Sequence, residues 1–280
     1  MSVRIVSDTA CDLPAELVDD LGVLLVPLHI RFGTTELLDR QELSVKDFWA
    51  RCAGSEQLPE TAAPSPGAFS LAFETLAAQG ADGVVCITLS SKLSATHEAA
   101  AQAARAFEKG IPVEVVDSYS VTLGEGLVVL AAAEVAAAGA SIGEVVAAAA
   151  SARDRLAVFG AIDTLENLRK GGRIGGAAAA LGTVLSIKPV IQVRDGVVEQ
   201  ESRQRTRAKS LKYLVDKVRS AGPLERFAVM NADATDFAGF LELVQDVGSE
   251  HPRLVGDIGP VIGTHAGPGA IGLAWVREPE

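Results

Sequence analysis

Val84-Val85-Cys86-Ile87-Thr88-Leu89-Ser90-Ser91-Lys92-Leu93-Ser94-Ala95-Thr96 decides the fold. Val84 to Leu89 is a short β-branched, uninterrupted apolar run with helical sequence on both sides, as expected of a strand buried on both faces. The hydroxyl-rich turn after it marks a helix entry, so the segment has the strand-to-helix pattern of a parallel α/β sheet. Working outward, Val3 to Ser7 is a strand followed by a helix after Asp12-Leu13-Pro14, and Val23 to Phe32 is a long apolar strand. Val113 to Val116 is a further buried strand. Ser44, Ser65 before Pro66, and Ser141 mark helix starts.

After about Leu156 the rhythm changes. Ala157 to Ile162 and Pro189 to Val193 are strands, and a turn at Asp195-Gly196 leads into Val197 to Gln200 as a hairpin. Further strands are expected at Phe227 to Met230, Leu254 to Ile258 and Ile271 to Val276, with helices near Arg207 to Ser220 and Asp236 to Val247. The expected fold class is therefore α/β: a parallel α/β domain over residues 1–155 and an α+β domain with a mixed or antiparallel sheet over residues 156–280. Ala53 to Ala63 is the one stretch that reads as loose.

At 280 residues with 48% hydrophobic content, the chain can bury a sizeable core. Leu127 to Ala150 is apolar, but Glu134, Gly139, Ser141, Gly143 and Glu144 interrupt it, so it reads as two Ala-rich helices and not as a membrane span. The amino-terminal residues are already strand-like, which points to the cytoplasm. Cys11, Cys52 and Cys86 are odd in number and form no metal-ligand cluster, so they read as reduced and structural. The formal net charge is -11, yet residues 169–219 hold twelve basic against four acidic residues, a local +8. That asymmetry suits a local anionic partner or a solvated, Arg-rich hairpin and helix; with no recognisable nucleic-acid motif, nucleic-acid binding is not expected.

The candidate polar residues gather at the junctions where ligands bind in open α/β sheets. Ser94 and Thr96 stand at a helix entry and can donate to a carboxylate or phosphate; Ser118 follows another strand. Thr61 lies in a proline-stiffened segment, and His265 sits among glycines in Gly263-Thr264-His265-Ala266-Gly267-Pro268-Gly269. Arg173 projects from Lys170-Gly171-Gly172-Arg173, which lacks the Gly-Lys-Ser/Thr ending of a phosphate loop. An oxygen-ligand site without a metal fits these residues. Ser94, His265 and Asp117 also suggest a serine hydrolase acting on acyl esters as the alternative, though no Gly-x-Ser-x-Gly elbow is present.

Taken in order, Ile5-Val6-Ser7-Asp8-Thr9, Asp12-Leu13-Pro14, Thr61 with Pro64-Ser65-Pro66, Ser90 to Thr96, Val116-Asp117-Ser118, Lys170 to Ile174, Ile187-Lys188-Pro189 and His265 to Gly269 resemble the DegV family over nearly the whole chain. Characterised members are the fatty-acid-binding subunits of bacterial fatty acid kinase. The resemblance implies a non-catalytic carrier with a long-chain fatty acid such as palmitate in an apolar tunnel between the domains. By motif its carboxylate falls to Thr61, Ser94 and His265, with Ala95, Thr96 and Ser118 as secondary headgroup candidates. The resemblance further implies that Arg173 is exposed and meets the kinase catalytic subunit, that the product feeds phospholipid synthesis, and that membrane contact is at most transient. Ala62 and Ala63 stand where the family usually has Ser-Gln, and Ala95 where it has glycine, changes that bear on chain preference and headgroup geometry.

Overall fold

The computed structural model describes residues 2–55, 57–108, 110–180 and 187–279. Four strands, β1 (Val3–Asp8), β2 (Leu24–Val26), β6 (Gly83–Thr88) and β7 (Val113–Asp117), form an all-parallel sheet in the order β2-β1-β6-β7. Their continuous apolar character follows from cover on both faces. Ile5, Val85 and Ile87 point into the main core, while Val6, Val84 and Cys86 point the other way, against Phe69 and Phe73 of α3 (Pro66–Ala78) and Ala100 of α4 (Thr96–Arg105).

A second sheet has the order β10-β9-β8-β13-β11-β12, built from β8 (Leu156–Ala161), β9 (Lys188–Arg194), β10 (Val197–Gln204), β11 (Leu224–Asn231), β12 (Leu254–Asp257) and β13 (Ile271–Arg277). It is antiparallel except for the β11–β12 pair. One face carries Phe159, Phe227, Val229 and Trp275 against Leu211 and Leu214 of α8 (Arg207–Arg219) and Phe240 of α9 (Phe237–Leu243). The other face turns Val158, Ala228, Met230 and Ala274 toward the main core.

Helix α5 (Thr122–Ala137) fills the space between the two sheets, packing on β1 and β6 on one side and on β8, β11 and β13 on the other. That position explains why it is apolar nearly all round. α6 (Ile142–Asp154) runs back beside it, opened by a capping box in which Ser141 and Glu144 satisfy each other's backbone amides. The apolar stretch from Leu127 is thus two helices, as its polar interruptions indicated. Among the described residues no helix is long and apolar enough to cross a membrane.

The remaining elements, α1 (Ala15–Asp20), β3 (His29–Phe32), β4 (Thr35–Leu38), α2 (Val45–Ala53), β5 (Glu60–Ala62), α7 (Glu166–Lys170) and α10 (Pro260–Ala266), correct the expected outline in three places. The run from Val23 to Phe32 is two strands in different sheets, broken at Pro27, which has no amide to donate, and at Leu28, whose amide goes to Thr9 Oγ1 at 3.2 Å. The stretch expected to be loose contains β5, which pairs with β3 in the small antiparallel sheet β4-β3-β5 and sets Thr61 opposite Ile30. His265 belongs to the last turn of α10, which Pro260 opens at its first residues, and not to a loop. The helix expected over Asp236 to Val247 ends at Leu243. Cys11, Cys52 and Cys86 are all free.

Candidate functional site

Thr61, Ser94 and His265 come from β5, the β6–α4 junction and α10, and the fold brings them to the wall of one cavity of about 170 Å3. The rest of the wall is mainly apolar: Leu28, Leu89, Leu93 and Val121 from the connections after β2, β6 and β7, Leu168 from α7, Ile191, Val193 and Val198 from the mixed sheet, and Val261 and Ile262 from α10. These apolar residues were not singled out in the sequence. Each reads as ordinary core, and nothing local distinguishes a core residue that faces a void.

The polar end is tightly organised. Thr61 Oγ1 and His265 Nε2 share a hydrogen bond of 3.1 Å across 204 residues of sequence. Burial, with the Arg173 charge added, pushes the His265 imidazole down to about 4, so it is neutral at physiological pH. Its Nδ1 is buried and has no hydrogen-bond partner among the described residues. Ser94 Oγ pairs with Thr96 Oγ1 at 2.8 Å and accepts the Thr96 amide at 3.3 Å, which orients its hydroxyl at the helix entry. Ala95 lines the same cavity; Thr96 stands behind Ser94, fully buried. Ser118 lies elsewhere, in a separate cleft with Tyr119, Arg153 and Arg194.

Arg173 departs from the expectation of an exposed side chain. It is half-buried, donating from Nε to the Leu93 carbonyl at 3.1 Å and from Nη1 to the Gly171 carbonyl at 2.7 Å, and it lines the cavity. Together with Thr61 and His265 it also borders an outer polar cleft that includes Leu58, Asn167 and Lys170. These three residues therefore form the boundary between solvent and the apolar interior. The basic window around Arg173 is largely ion-paired: Arg169 with Glu166, Lys188 with Asp163, Arg207 with Asp236, Lys217 with Glu201 and Arg219 with Asp246.

The hydrolase alternative has no geometric support. Asp117 accepts the amides of Ser91 and Tyr119. His265 is bonded to Thr61, and its other ring nitrogen meets no carboxylate that would orient it as a base. Among the described residues there is also no group of three or more His, Cys, Asp or Glu that would hold a metal ion.

Gly171 makes the His265 position possible, since a β-carbon there would fall on the imidazole Nδ1. Gly171→Ala is expected to swing the ring off Thr61 and toward water. In an NMR titration the His265 pKa should then rise from about 4 toward the ordinary value near 6.5. An unchanged titration in a folded variant would show that the ring does not depend on this contact.

The comparisons with known proteins agree with this architecture. The model of a family described as "Uncharacterised protein, DegV family" matches residues 2–278. A DegV domain-containing protein of Mycobacterium tuberculosis is 38% identical over 280 residues, covering 98% of this chain and 96% of that one. A solved structure described as fatty acid binding of a DegV family protein from Thermus thermophilus superposes with a TM-score of 0.90 at 32% identity, covering 99% of this chain and 100% of that chain. A fatty acid (stearic acid)-binding protein from Eubacterium ventriosum superposes with a TM-score of 0.89 at 25% identity, covering 98% of each chain. With its sheets, its cavity and 277 consecutive residues accounted for by one family model, this chain belongs to the DegV family.

Proposed function

We propose that this protein holds one long-chain fatty acid, such as palmitate, in the apolar cavity and presents its carboxyl group to the catalytic subunit of a fatty acid kinase. The observation that carries the reading is an apolar cavity whose few polar wall residues include Thr61, Ser94 and His265, the first and last of which share a hydrogen bond. The acyl chain lies between two units, residues 1–155 and 156–280, both of which supply wall residues. Burying about fourteen methylenes at about 0.8 kcal/mol each gives on the order of 11 kcal/mol gross, before losses of motional freedom. The tail therefore supplies the affinity.

Two hydroxyls and a neutral imidazole orient the carboxyl group without a buried salt bridge, which leaves an oxygen free to accept phosphate. The resulting acyl phosphate would enter phospholipid synthesis. The protein itself contributes no catalytic group in this reading, works in the cytoplasm and touches membranes only transiently. Thr96 and Ser118 act through Ser94 and the neighbouring loops and not as first contacts.

Organic extraction of the purified protein followed by mass spectrometry is expected to yield a long-chain fatty acid, and labelled palmitate should bind. A chain that carries no lipid and fails to bind palmitate overturns the reading. Arg173→Ala tests the partner role: acyl phosphate formation should fall far more than lipid affinity. If affinity falls as steeply, Arg173 serves the cavity and not the partner.

A further inference from the structure

The acyl cavity does not end in a featureless pocket. It is adjoined by a second, apolar lobe of about 60 Å3 whose wall shares Val121, Ile191, Val193, Ile262 and Ala266 with the first. This lobe runs under the mixed sheet, where successive inward side chains form rungs across the strands. Val158 of β8 is in register with Val193 of β9, and Val193 with Val198 of β10. The next residue on β9, Arg194, is exposed, and the chain reverses at Asp195-Gly196. The three valines are therefore the last apolar rung before the hairpin turn.

Beyond that rung the chemistry changes. Val158 and Val193 also line the separate cleft of about 560 Å3 that holds Ser118, Tyr119, Arg153 and Arg194. The two valines thus stand between an apolar lobe and a polar one.

We propose that the Val158–Val193–Val198 rung is the gauge that sets acyl chain length, with Val193 its adjustable member. This rests on the fatty-acid reading of the cavity. Two contacts make the gauge stiff. Val158 packs a methyl group against the α5 backbone, 2.5 Å from where a β-carbon on Gly124 would stand. The hairpin turn is anchored to the parallel-sheet unit by Ser90 Oγ, which donates to the Gly196 carbonyl at 2.7 Å. A chain too long for the lobe must push methylenes past the valines among guanidinium groups, forfeiting about fourfold in affinity for each one that leaves apolar walls.

The test compares wild type, Val193→Ala and Val193→Phe by mass spectrometry of co-purified lipid and by competition between C16 and C20 fatty acids. Val193→Ala removes two methyl groups, and the lipid profile is expected to lengthen by roughly two carbons, with the C20-to-C16 affinity ratio rising about tenfold. Val193→Phe should move both readouts the other way. Loaded variants with the wild-type profile and ratio overturn the gauge while leaving the carrier reading intact. A wild-type chain that neither carries nor binds fatty acid overturns both. Should the phenylalanine prevent folding, Val193→Ala decides alone, since an unchanged profile there is already fatal.

Discussion

Between pH 5 and pH 9 the protein is expected to lose stability as the pH rises, the reverse of what paired surface carboxylates produce. The cause is a set of carboxyl groups sealed under the first loop. Asp8 and Asp39 are both fully buried, and burial pushes each up to about 7; Glu125, in the middle of α5, is raised well above the carboxylate range by burial and by the neighbouring Asp8. A carboxyl group that titrates near 7 when folded and near 4 when unfolded retains its proton better in the fold. Its stabilising contribution is complete below about pH 4 and is lost as the pH rises through about 7. For one such group the loss is about 4 kcal/mol. His265, held down near 4, acts in the opposite direction between about pH 4 and 6.5 and offsets part of the fall there. Denaturant unfolding at pH 5 and 9 measures it. Asp39→Asn, whose amide does not titrate, should remove about 3 kcal/mol of the difference. An equal fall in wild type and variant would mean that Asp39 does not change charge in this range.

Gly126→Ala should destabilise the protein even though alanine is the better helix former. Gly126 is buried in α5, and a β-carbon there would stand 2.7 Å from the Cys11 carbonyl and 3.0 Å from a Leu13 methyl group. Helix propensity favours alanine by about 1 kcal/mol. A backbone carbonyl cannot rotate aside as a side chain can, so α5 or the Thr9–Cys11 turn must move, at about 3 kcal/mol or more. The clash wins, and a net loss of about 2 kcal/mol corresponds to roughly 4–8 °C in Tm. Because the same turn holds Thr9, which fixes Leu28 in the cavity wall, lipid binding should weaken with it. A variant as stable as wild type would show that α5 can shift without cost.

The parallel strands were legible because a strand covered on both faces is a short, continuous β-branched run that needs no partner to be recognised. The hydroxyl clusters at strand ends were legible for the same reason: their spacing is local. What escaped depends on distant residues. β5 exists because β3, some thirty residues earlier, offers an edge, and Thr61 is therefore held by a sheet and not by its prolines. Pro27 was a visible break inside the apolar run, and its missing amide deserved more weight than the hydrophobicity around it. Gly259-Pro260 was likewise a visible helix start ahead of His265. Arg173 read as a projecting side chain because its two acceptors are backbone carbonyls, which no side-chain pattern announces. Glu125 drew no notice in its Ala-rich surroundings, since its partner Ser7 lies 118 residues away.

The cavity interrupts the principal core and does not merely adjoin it: Leu28, Leu89, Val121, Leu168, Val198 and Val261 belong to both. On the proposed reading, a bound fatty acid would complete the packing of the protein that holds it. Loaded chains are favoured over empty ones by mass action, by about 2.7 kcal/mol at a free ligand concentration one hundred times the Kd. Turnover of the protein in the cell would then track lipid supply: empty molecules open more often and meet proteases first, so the pool of carrier adjusts to the amount of cargo without any dedicated sensor.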